Sequence, residues 1–191
     1  MAAIGTRAQS LPVYLDNTKS IDERIEDALS RMTLDEKIRV LHAQSKFSSR
    51  GVPRLGIPDL WTDDGPHGIR PDVLWDSWRD AGKTNDSVVA FPALTCLAAS
   101  WNPAIARSYG RDLGEEARYR GKDMVLGPGV NIYRTPLGGR NFEYLGEDPY
   151  LASAMVVPYI QGLQSNGVAA CVKHFALNND EANRHELNVI V

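Results

Sequence analysis

Residues 137–149 of the sequence, LGGRNFEYLGEDP, bring together residue types that bind ligands. They include one arginine, one asparagine, two aromatic residues and three carboxylic acids. The run lies between a strand-like segment at residues 124–127 and a helix start at Asp148-Pro149. Because long polar loops after strands carry the binding groups of α/β enzymes, this run is predicted to form part of a binding site.

Charged residues also follow two other apolar segments directly. One segment leads into Asp63 and Asp64, and another, near the carboxyl end of the sequence, leads into Lys173 and His174. Parallel α/β architectures aim the loops at the carboxyl ends of their strands towards one place. These residues and Arg140 of the polar loop are therefore predicted to share one rim.

The chemistry of such a rim favours a ligand with many hydroxyl groups. A carboxylate accepts hydrogen bonds from hydroxyl groups, while arginine and lysine donate to neighbouring oxygens. The same mixture would also suit an anionic small molecule, because three of the side chains are or can be cationic. Residue types alone leave both ligands open.

Each of these groups also has a structural interpretation. The two aspartates precede Gly-Pro and could form only a turn. Arg140 could make an ion pair with Glu143 or Glu147. Lys173 could extend from a buried strand to solvent, and His174 could be a hydrogen-bonded core histidine.

Composition excludes several classes of partner. The 191 residues carry a net charge of −3, and their basic residues are dispersed, so no nucleic acid is expected. No apolar run approaches the length of a membrane span, and no signal peptide is visible in residues 1–20.

Cys96 and Cys171 form neither a disulfide framework nor a metal-ligand pattern. The Gly127-Pro-Gly129 cluster lacks the residues of a nucleotide-binding loop, so no cofactor and no metal are expected.

The elements that must position these groups begin after an extended arm at residues 1–19. Two capping boxes, Ser20 to Glu23 and Thr33 to Glu36, predict two short helices in succession. Apolar residues recur at helical spacing after the first box.

Further along, strands and helices are predicted to alternate. Helices are expected from Pro103 to Gly121 and from Pro149 to about Ser165, the second kinked before Pro158. Strands are predicted at residues 58–62, 91–99, 124–127 and 168–172, and a long loop at residues 70–90. Such alternation favours an α/β fold built from parallel βαβ units.

Short motifs are spread over residues 20–190. In order, they are RMTLDEK at 31–37, VPRLGIP at 52–58, DGPHG at 64–68, NIYRTP at 131–136, GRNFEY at 139–144, EDP at 147–149, KHF at 173–175, NN at 178–179 and NR at 183–184. As a set, they resemble the N-terminal domain of glycoside hydrolase family 3, the β-glucosidase and β-xylosidase family.

The resemblance implies a TIM-like (β/α)₈ barrel followed by an α/β sandwich domain. A complete barrel needs about 250 residues, so residues 20–191 are expected to be an incomplete, N-terminal portion of the barrel domain. The fold class expected is α/β with a partial barrel.

The resemblance also implies roles for individual residues. Asp64 matches the aspartate that grips sugar hydroxyls in the −1 subsite. Arg140, Lys173, His174 and Arg184 match further sugar-contacting positions. Family members often hold the Lys-His segment with a cis peptide bond. No catalytic residue is expected here, because the family's nucleophile lies on a later barrel strand and its acid/base in the later domain.

The function implied is that of a portion of a retaining β-glucosidase, which hydrolyses terminal β-D-glucosyl residues of oligosaccharides. The expected partners are a β-linked glucoside or oligosaccharide, the remainder of the barrel and the C-terminal domain, in the same protein or a complementary chain. The isolated chain is expected to be inactive. The alternative is a non-catalytic sugar-binding or interaction fragment. The resemblance favours a periplasmic or secreted location.

Overall fold

The computed structural model describes residues 11–83 and 87–190. Its contacts divide the chain into two compact units. The first comprises the described residues up to Gln44 together with Ser49–Asp59, and the second comprises Ser45–Ser48 and the described residues from Leu60 onward.

The first unit contains two short helices, α1 (Ile21–Arg31) and α2 (Leu34–Val40). Both begin at the predicted capping boxes. The hydroxyl oxygens of Ser20 and Thr33 each accept the backbone N–H three residues further on, at 3.2 Å. Because two otherwise unpaired donors are satisfied at each helix start, the boxes fix where the helices begin.

Among the described residues, the sheet has five strands in the order β1-β2-β3-β4-β5. They are β1 (Ala43–Ser45), β2 (Ser48–Ser49), β3 (Leu60–Asp64), β4 (Met124–Leu126) and β5 (Ala169–Ala170). The last three strands run parallel, as the alternation of strands and helices predicts. In the register, Asp64 lies opposite Leu126.

Three further helices cover this parallel part of the sheet: α3 (Leu94–Ala99), α4 (Pro103–Tyr119) and α5 (Pro149–Gln164). Helices α4 and α5 start at the predicted N-caps followed by proline. The predicted end of α4 at Gly121 is confirmed, since Gly121 has a φ of 70°.

The core lies between helices α4 and α5 and the sheet. The two helices approach closely at Gly110, where an added Cβ would lie 2.0 Å from the carbonyl oxygen of Tyr159. Buried apolar side chains fill the remaining space, among them Leu94, Leu113, Val125, Met155, Leu163 and Val168. The buried Tyr159 hydroxyl donates to the carbonyl oxygen of Pro66 at 2.8 Å. This bond ties the helical layer to the loop that follows β3.

The strand predicted at residues 91–99 is wrong, because Leu94–Ala99 forms helix α3. Leu94, Leu97 and Ala98 are buried, which is the i, i+3, i+4 spacing of one helix face. A short apolar run does not distinguish a buried strand from a buried helix, so the error follows from the pattern itself.

The predicted strand at residues 58–62 is shifted. Strand β3 begins at Leu60 and includes Asp63 and Asp64, because its pairing with β4 continues to the end of β4. Strand β5 is shorter than the predicted 168–172, although Lys173 makes an isolated parallel bridge with Gly129.

Within the predicted loop at residues 70–90, Val73 forms an antiparallel bridge with Asp80, and residues 84–86 of that loop lie outside the described residues. Among residues 11–83 and 87–190, no helix is long and apolar enough to cross a bilayer.

Candidate functional site

The site lies where strands β3, β4 and β5 reach their carboxyl ends. Asp64 is the last residue of β3. The backbone after β4 and after β5 stays paired, since the N–H of Val130 donates to the carbonyl oxygen of Lys173 at 2.8 Å and the N–H of Lys173 donates to that of Pro128 at 3.0 Å. The Gly127-Pro128 peptide bond in this segment is cis. Extended pairing thus carries Lys173 to the same rim as Asp64.

Lys173 joins Asp64 to the polar loop. Its Nζ donates to Oδ1 of Asp64 at 2.7 Å and lies 3.4 Å from Oε2 of Glu143. The Lys173 side chain is only 11% exposed, whereas that of Asp64 is 39% exposed. Lys173 therefore points into the site rather than to solvent, and Asp64 keeps an open side towards a ligand.

Arg140 and Glu143 form a bidentate ion pair. Arg140 donates from Nε to Oε1 of Glu143 at 2.7 Å and from Nη2 to Oε2 at 2.8 Å. Such paired hydrogen bonds are strong and fix orientation. The structural interpretation of Arg140 as a partner of Glu143 is therefore correct, and the same pair places Arg140 beside His174, with Nη2 2.9 Å from Nε2.

The hydrogen bonds around His174 define its tautomer. Arginine only donates, so Nε2 of His174 accepts from Arg140 and the proton lies on Nδ1. Nδ1 then donates to the hydroxyl of Tyr144 at 2.9 Å. The Tyr144 hydroxyl in turn donates to the carbonyl oxygen of Asn178 at 3.2 Å. Every polar atom of the imidazole is thus paired in the neutral form.

The peptide bond between Lys173 and His174 is cis, as the family resemblance implied, and so is that between Phe175 and Ala176. Asn131 holds the His174 backbone on both sides. Its Oδ1 accepts the His174 N–H at 2.7 Å, and its Nδ2 donates to the His174 carbonyl oxygen at 3.3 Å.

Burial and neighbouring charges shift the pKa values of His174 and Glu143. Burial, together with the positive charges of Arg140 and Lys173, lowers the pKa of His174 to about 4. Burial alone would raise the pKa of Glu143, but hydrogen bonding to Arg140 and the charge of Lys173 outweigh it, and the pKa lies below its usual value. At neutral pH the imidazole of His174 is therefore neutral and the carboxyl group of Glu143 is ionised.

Arg184, the fifth predicted residue, does not contact the other four. Its Nη1 bonds Oε2 of Glu181 at 3.0 Å, and its side chain is 45% exposed. Glu181 lies 3.4 Å from Nη1 of Arg140. Arg184 is therefore connected to the site through Glu181.

Sequence reasoning named Glu143 only as a possible ion-pair partner of Arg140 and not as a site residue, although Glu143 touches both Arg140 and Lys173. The signal was present, since Arg140 and Glu143 are three residues apart in the dense polar loop. It also missed Tyr144, whose hydroxyl reaches His174. Tyr144 is buried, and nothing in its sequence position distinguishes it from a core residue.

A cavity of about 340 Å³ adjoins the contacts and is lined by Asp64, Glu143, His67 and Phe142 among others. Glycines shape the turn that forms one wall. At Gly65, with a φ of 131°, an added Cβ would lie 1.6 Å from the carbonyl oxygen of Gly68. Only glycine fits this turn, so Gly65 is required for the chain to turn directly after Asp64.

A parallel α/β sheet with an open cavity and fixed carboxylates and cations at its carboxyl end is the arrangement of a small-molecule-binding barrel domain. Residues 28–190 match the description "Glycosyl hydrolase family 3 N terminal domain". The chain belongs to this family.

Named relatives agree with the family. The chain is 66% identical to β-glucosidase BoGH3A of Bacteroides ovatus over 99% of this chain and 25% of that protein. It is 43% identical to thermostable β-glucosidase B of Acetivibrio thermocellus over 87% of this chain and 22% of that protein.

The fold resembles that of β-glucosidase 3B from Thermotoga neapolitana in complex with glucose. The TM-score is 0.73 at 36% identity, covering 83% of this chain and 24% of that one. The architecture is therefore a part of the TIM-like domain of the family, as the resemblance implied. The chain spans about a quarter of the length of the curated relatives it matches.

Proposed function

We propose that this chain supplies sugar contacts of the −1 subsite in a retaining β-glucosidase that hydrolyses terminal β-D-glucosyl residues of oligosaccharides. The observation that carries the proposal is the continuous contact of Asp64, Lys173, Glu143, Arg140 and His174 at one strand edge. High identity to a named β-glucosidase supports it.

The geometry suits a pyranose. Asp64 uses one carboxylate oxygen for Lys173 and, being partly exposed, can accept hydroxyl hydrogen bonds on its other side. Lys173 has three N–H donors, so one remains for a sugar oxygen after its two carboxylate contacts. Charged hydrogen bonds of this kind accelerate a reaction where they tighten in the transition state.

Catalysis is proposed to need further parts of the enzyme. A retaining glycosidase uses two carboxyl groups about 5–5.5 Å apart, one as nucleophile and one as acid/base. By analogy with the family, both would come from the remainder of the barrel and from the C-terminal domain. Residues 20–191 would then form the first portion of the barrel, which agrees with the quarter of the relatives' length that is matched.

A chimera tests the proposal. This chain replaces its matching segment in BoGH3A, to which it is 66% identical, and turnover of an aryl β-glucoside is measured. We expect kcat/KM within about tenfold of the parent, or about 1.4 kcal/mol in transition-state stabilisation. The isolated chain, assayed in parallel, should show no turnover.

Two results would contradict the proposal. A folded chimera without glucosidase activity would show that the chain does not supply a working −1 subsite. Turnover by the isolated chain near the rate of intact BoGH3A would show that the nucleophile lies within these residues. Calorimetry with glucose on the isolated chain separates the non-catalytic alternative, in which binding is present while the chimera stays inactive.

A further inference from the structure

The two site residues that follow β5 are held in different ways. Lys173 is fixed by backbone pairing, since its N–H donates to the carbonyl oxygen of Pro128 at 3.0 Å and its carbonyl oxygen accepts the N–H of Val130 at 2.8 Å. His174 follows this pairing. In the part of the chain that the structure describes, the hydrogen bonds of its backbone go to the side chain of Asn131. The position of His174 therefore depends on one side chain.

The Asn131 amide constrains the His174 backbone on both sides of the Cα atom. Its Oδ1 accepts the N–H of His174 at 2.7 Å, and its Nδ2 donates to the carbonyl oxygen at 3.3 Å. Because these two groups flank the Cα atom, the bonds fix the direction in which the imidazole leaves the backbone. In that direction Nε2 lies 2.9 Å from Nη2 of Arg140, and Nδ1 lies 2.9 Å from the hydroxyl of Tyr144.

Asn131 itself lies on a segment that is held in place. The carbonyl oxygen of Ile132 accepts Nδ2 of Asn179 at 2.7 Å. The N–H of Tyr133 donates to the carbonyl oxygen of Gly146 at 3.2 Å. Since Val130, on the other side of Asn131, is paired with Lys173, the amide is fixed before any ligand arrives. A binding group supported in this way loses little conformational freedom when it binds.

We propose that Asn131 is a positioning residue for His174. It holds the imidazole in the orientation that faces Arg140 and the ligand, without contacting the ligand itself. This role rests on the proposed function, which places His174 in the −1 subsite. It also gives a role to the first residue of the NIYRTP motif, for which the sequence indicated none. Because a displacement of about 1 Å can reduce a rate about 100-fold, the two hydrogen bonds matter for turnover as well as for folding.

The test is a double-mutant cycle in the BoGH3A chimera, with kcat/KM for an aryl β-glucoside as the readout. Asn131→Ala should reduce kcat/KM about tenfold or more, because the imidazole is no longer held in position. In the His174→Ala background, the same substitution should reduce it by less than about twofold, since the effect passes through His174. A role of Asn131 in folding alone would give the same loss in both backgrounds.

Asn166→Ala is the matched control. Asn166 is half-buried like Asn131, and its Nδ2 also donates to a backbone carbonyl oxygen, that of Arg111, at 2.9 Å. It precedes β5, whereas His174 follows that strand, so it lies at the opposite end from the site. Asn166→Ala should therefore change kcat/KM by less than about twofold, because the bond that it removes does not position a site residue.

A second readout does not require glucosidase activity. Diethyl pyrocarbonate acylates accessible neutral imidazoles, and mass spectrometry of the peptide that contains His174 measures the extent. Asn131→Ala should raise the acylation of His174 about threefold or more, because a less restrained side chain opens more often, whereas Asn166→Ala should not raise it. An inactive parent chimera would contradict the proposed function, and the acylation would still decide the role of Asn131.

Three results would overturn the positioning role. They are equal losses of kcat/KM in Asn131→Ala and Asn166→Ala, an undiminished effect of Asn131→Ala in the His174→Ala background, and unchanged acylation of His174 in Asn131→Ala. If Asn131→Ala does not fold, Asn131→Ser takes its place in the same cycle. Serine is a smaller change because it keeps a hydroxyl that can accept or donate a hydrogen bond.

Discussion

Asp63 and Asp64 are consecutive residues of β3 and have opposite surroundings. Each bonds one lysine: Asp63 lies 3.2 Å from Lys122, and Asp64 lies 2.7 Å from Lys173. The Asp63 side chain is 2% exposed, whereas that of Asp64 is 39% exposed. The pleat of the strand, which alternates side chains between faces, is sufficient to separate them.

The consequence is a division of roles between two identical side chains. Burial raises the pKa of Asp63 to about 6, although the charge and hydrogen bond of Lys122 oppose the rise. Asp63 therefore forms its hydrogen bonds within the protein, where it also accepts the N–H of Asp64 at 2.7 Å. Asp64 retains an open side. The role of each aspartate is therefore determined by the face of the strand on which it lies, and not by its residue type.

The largest expected effect comes from removing the buried lysine. Lys122→Met leaves Asp63 buried without its cation, and loss of one partner of a buried ion pair typically costs about 3–5 kcal/mol. The free energy of unfolding, measured by urea denaturation at pH 7, should fall by that amount.

A double variant serves as its control. Lys122→Met combined with Asp63→Leu removes both charges, and replacement of a buried pair by apolar groups is often close to neutral, so most of the stability should return. A loss below about 1 kcal/mol in the single variant would show that the contact between Lys122 and Asp63 contributes no more than a solvent-exposed ion pair. The energetic contrast with Asp64 would then be lost.

The second effect tests the exposed member of the pair. Asp64→Ala in the BoGH3A chimera should reduce kcat/KM by about 100-fold or more, or about 2.7 kcal/mol, because charged hydrogen bonds that tighten in the transition state are lost. Asp64→Asn, which keeps the shape, should recover part of this loss. A reduction below about threefold would make Asp64 a turn residue.

Much of the fold could be predicted because local signals agreed with it. The capping boxes and the prolines at the starts of α4 and α5 acted locally, so tertiary packing did not alter them. The parallel direction of β3, β4 and β5 followed from the alternation of strands and helices. The prediction of a strand at residues 91–99 failed because helix α3 buries a run that is as apolar as a buried strand.

The site could be predicted in part for a similar reason. Asp64, Lys173 and His174 follow apolar runs directly in the sequence, and parallel pairing alone brings them to one edge. Arg184 could not be placed in this way, since it follows no strand and pairs locally with Glu181. The register with β4 determines which of Asp63 and Asp64 faces the core. This register cannot be derived from the sequence.

The third prediction compares the pH dependence of the two sites. The pKa of His174 is lowered from 6.5 to about 4, so the unfolded chain binds more protons between these values and stability falls as the pH drops from about 6.5 to 4. The pKa of Asp63 is raised from 3.8 to about 6. The folded chain therefore binds more protons between these values, and this contribution to stability falls as the pH rises through that range.

Variants separate the two contributions. Between pH 7 and pH 4.5, His174→Gln should lose less stability than the parent, by about 1–2 kcal/mol once the partial exposure of the imidazole is considered. Asp63→Asn should shift the slope in the opposite direction. Urea unfolding of the three proteins at both pH values measures this. Changes of slope with the same sign in the two variants, relative to the parent, would contradict the assigned surroundings.

The smallest effect is expected at the outer end of the buried charges. Lys83, like Lys122, bonds Asp72, but its side chain is 62% exposed whereas that of Lys122 is 7% exposed. Exposed ion pairs contribute about 0–1 kcal/mol because solvent screens them, so Lys83→Met should change the free energy of unfolding by less than about 0.5 kcal/mol. The same substitution at Lys122 should cost several times more, since both lysines lose the same atoms and differ in burial. Equal losses at the two positions would mean that contact with Asp72, rather than burial, determines the energy, and the explanation given for Asp63 and Asp64 would fail with it.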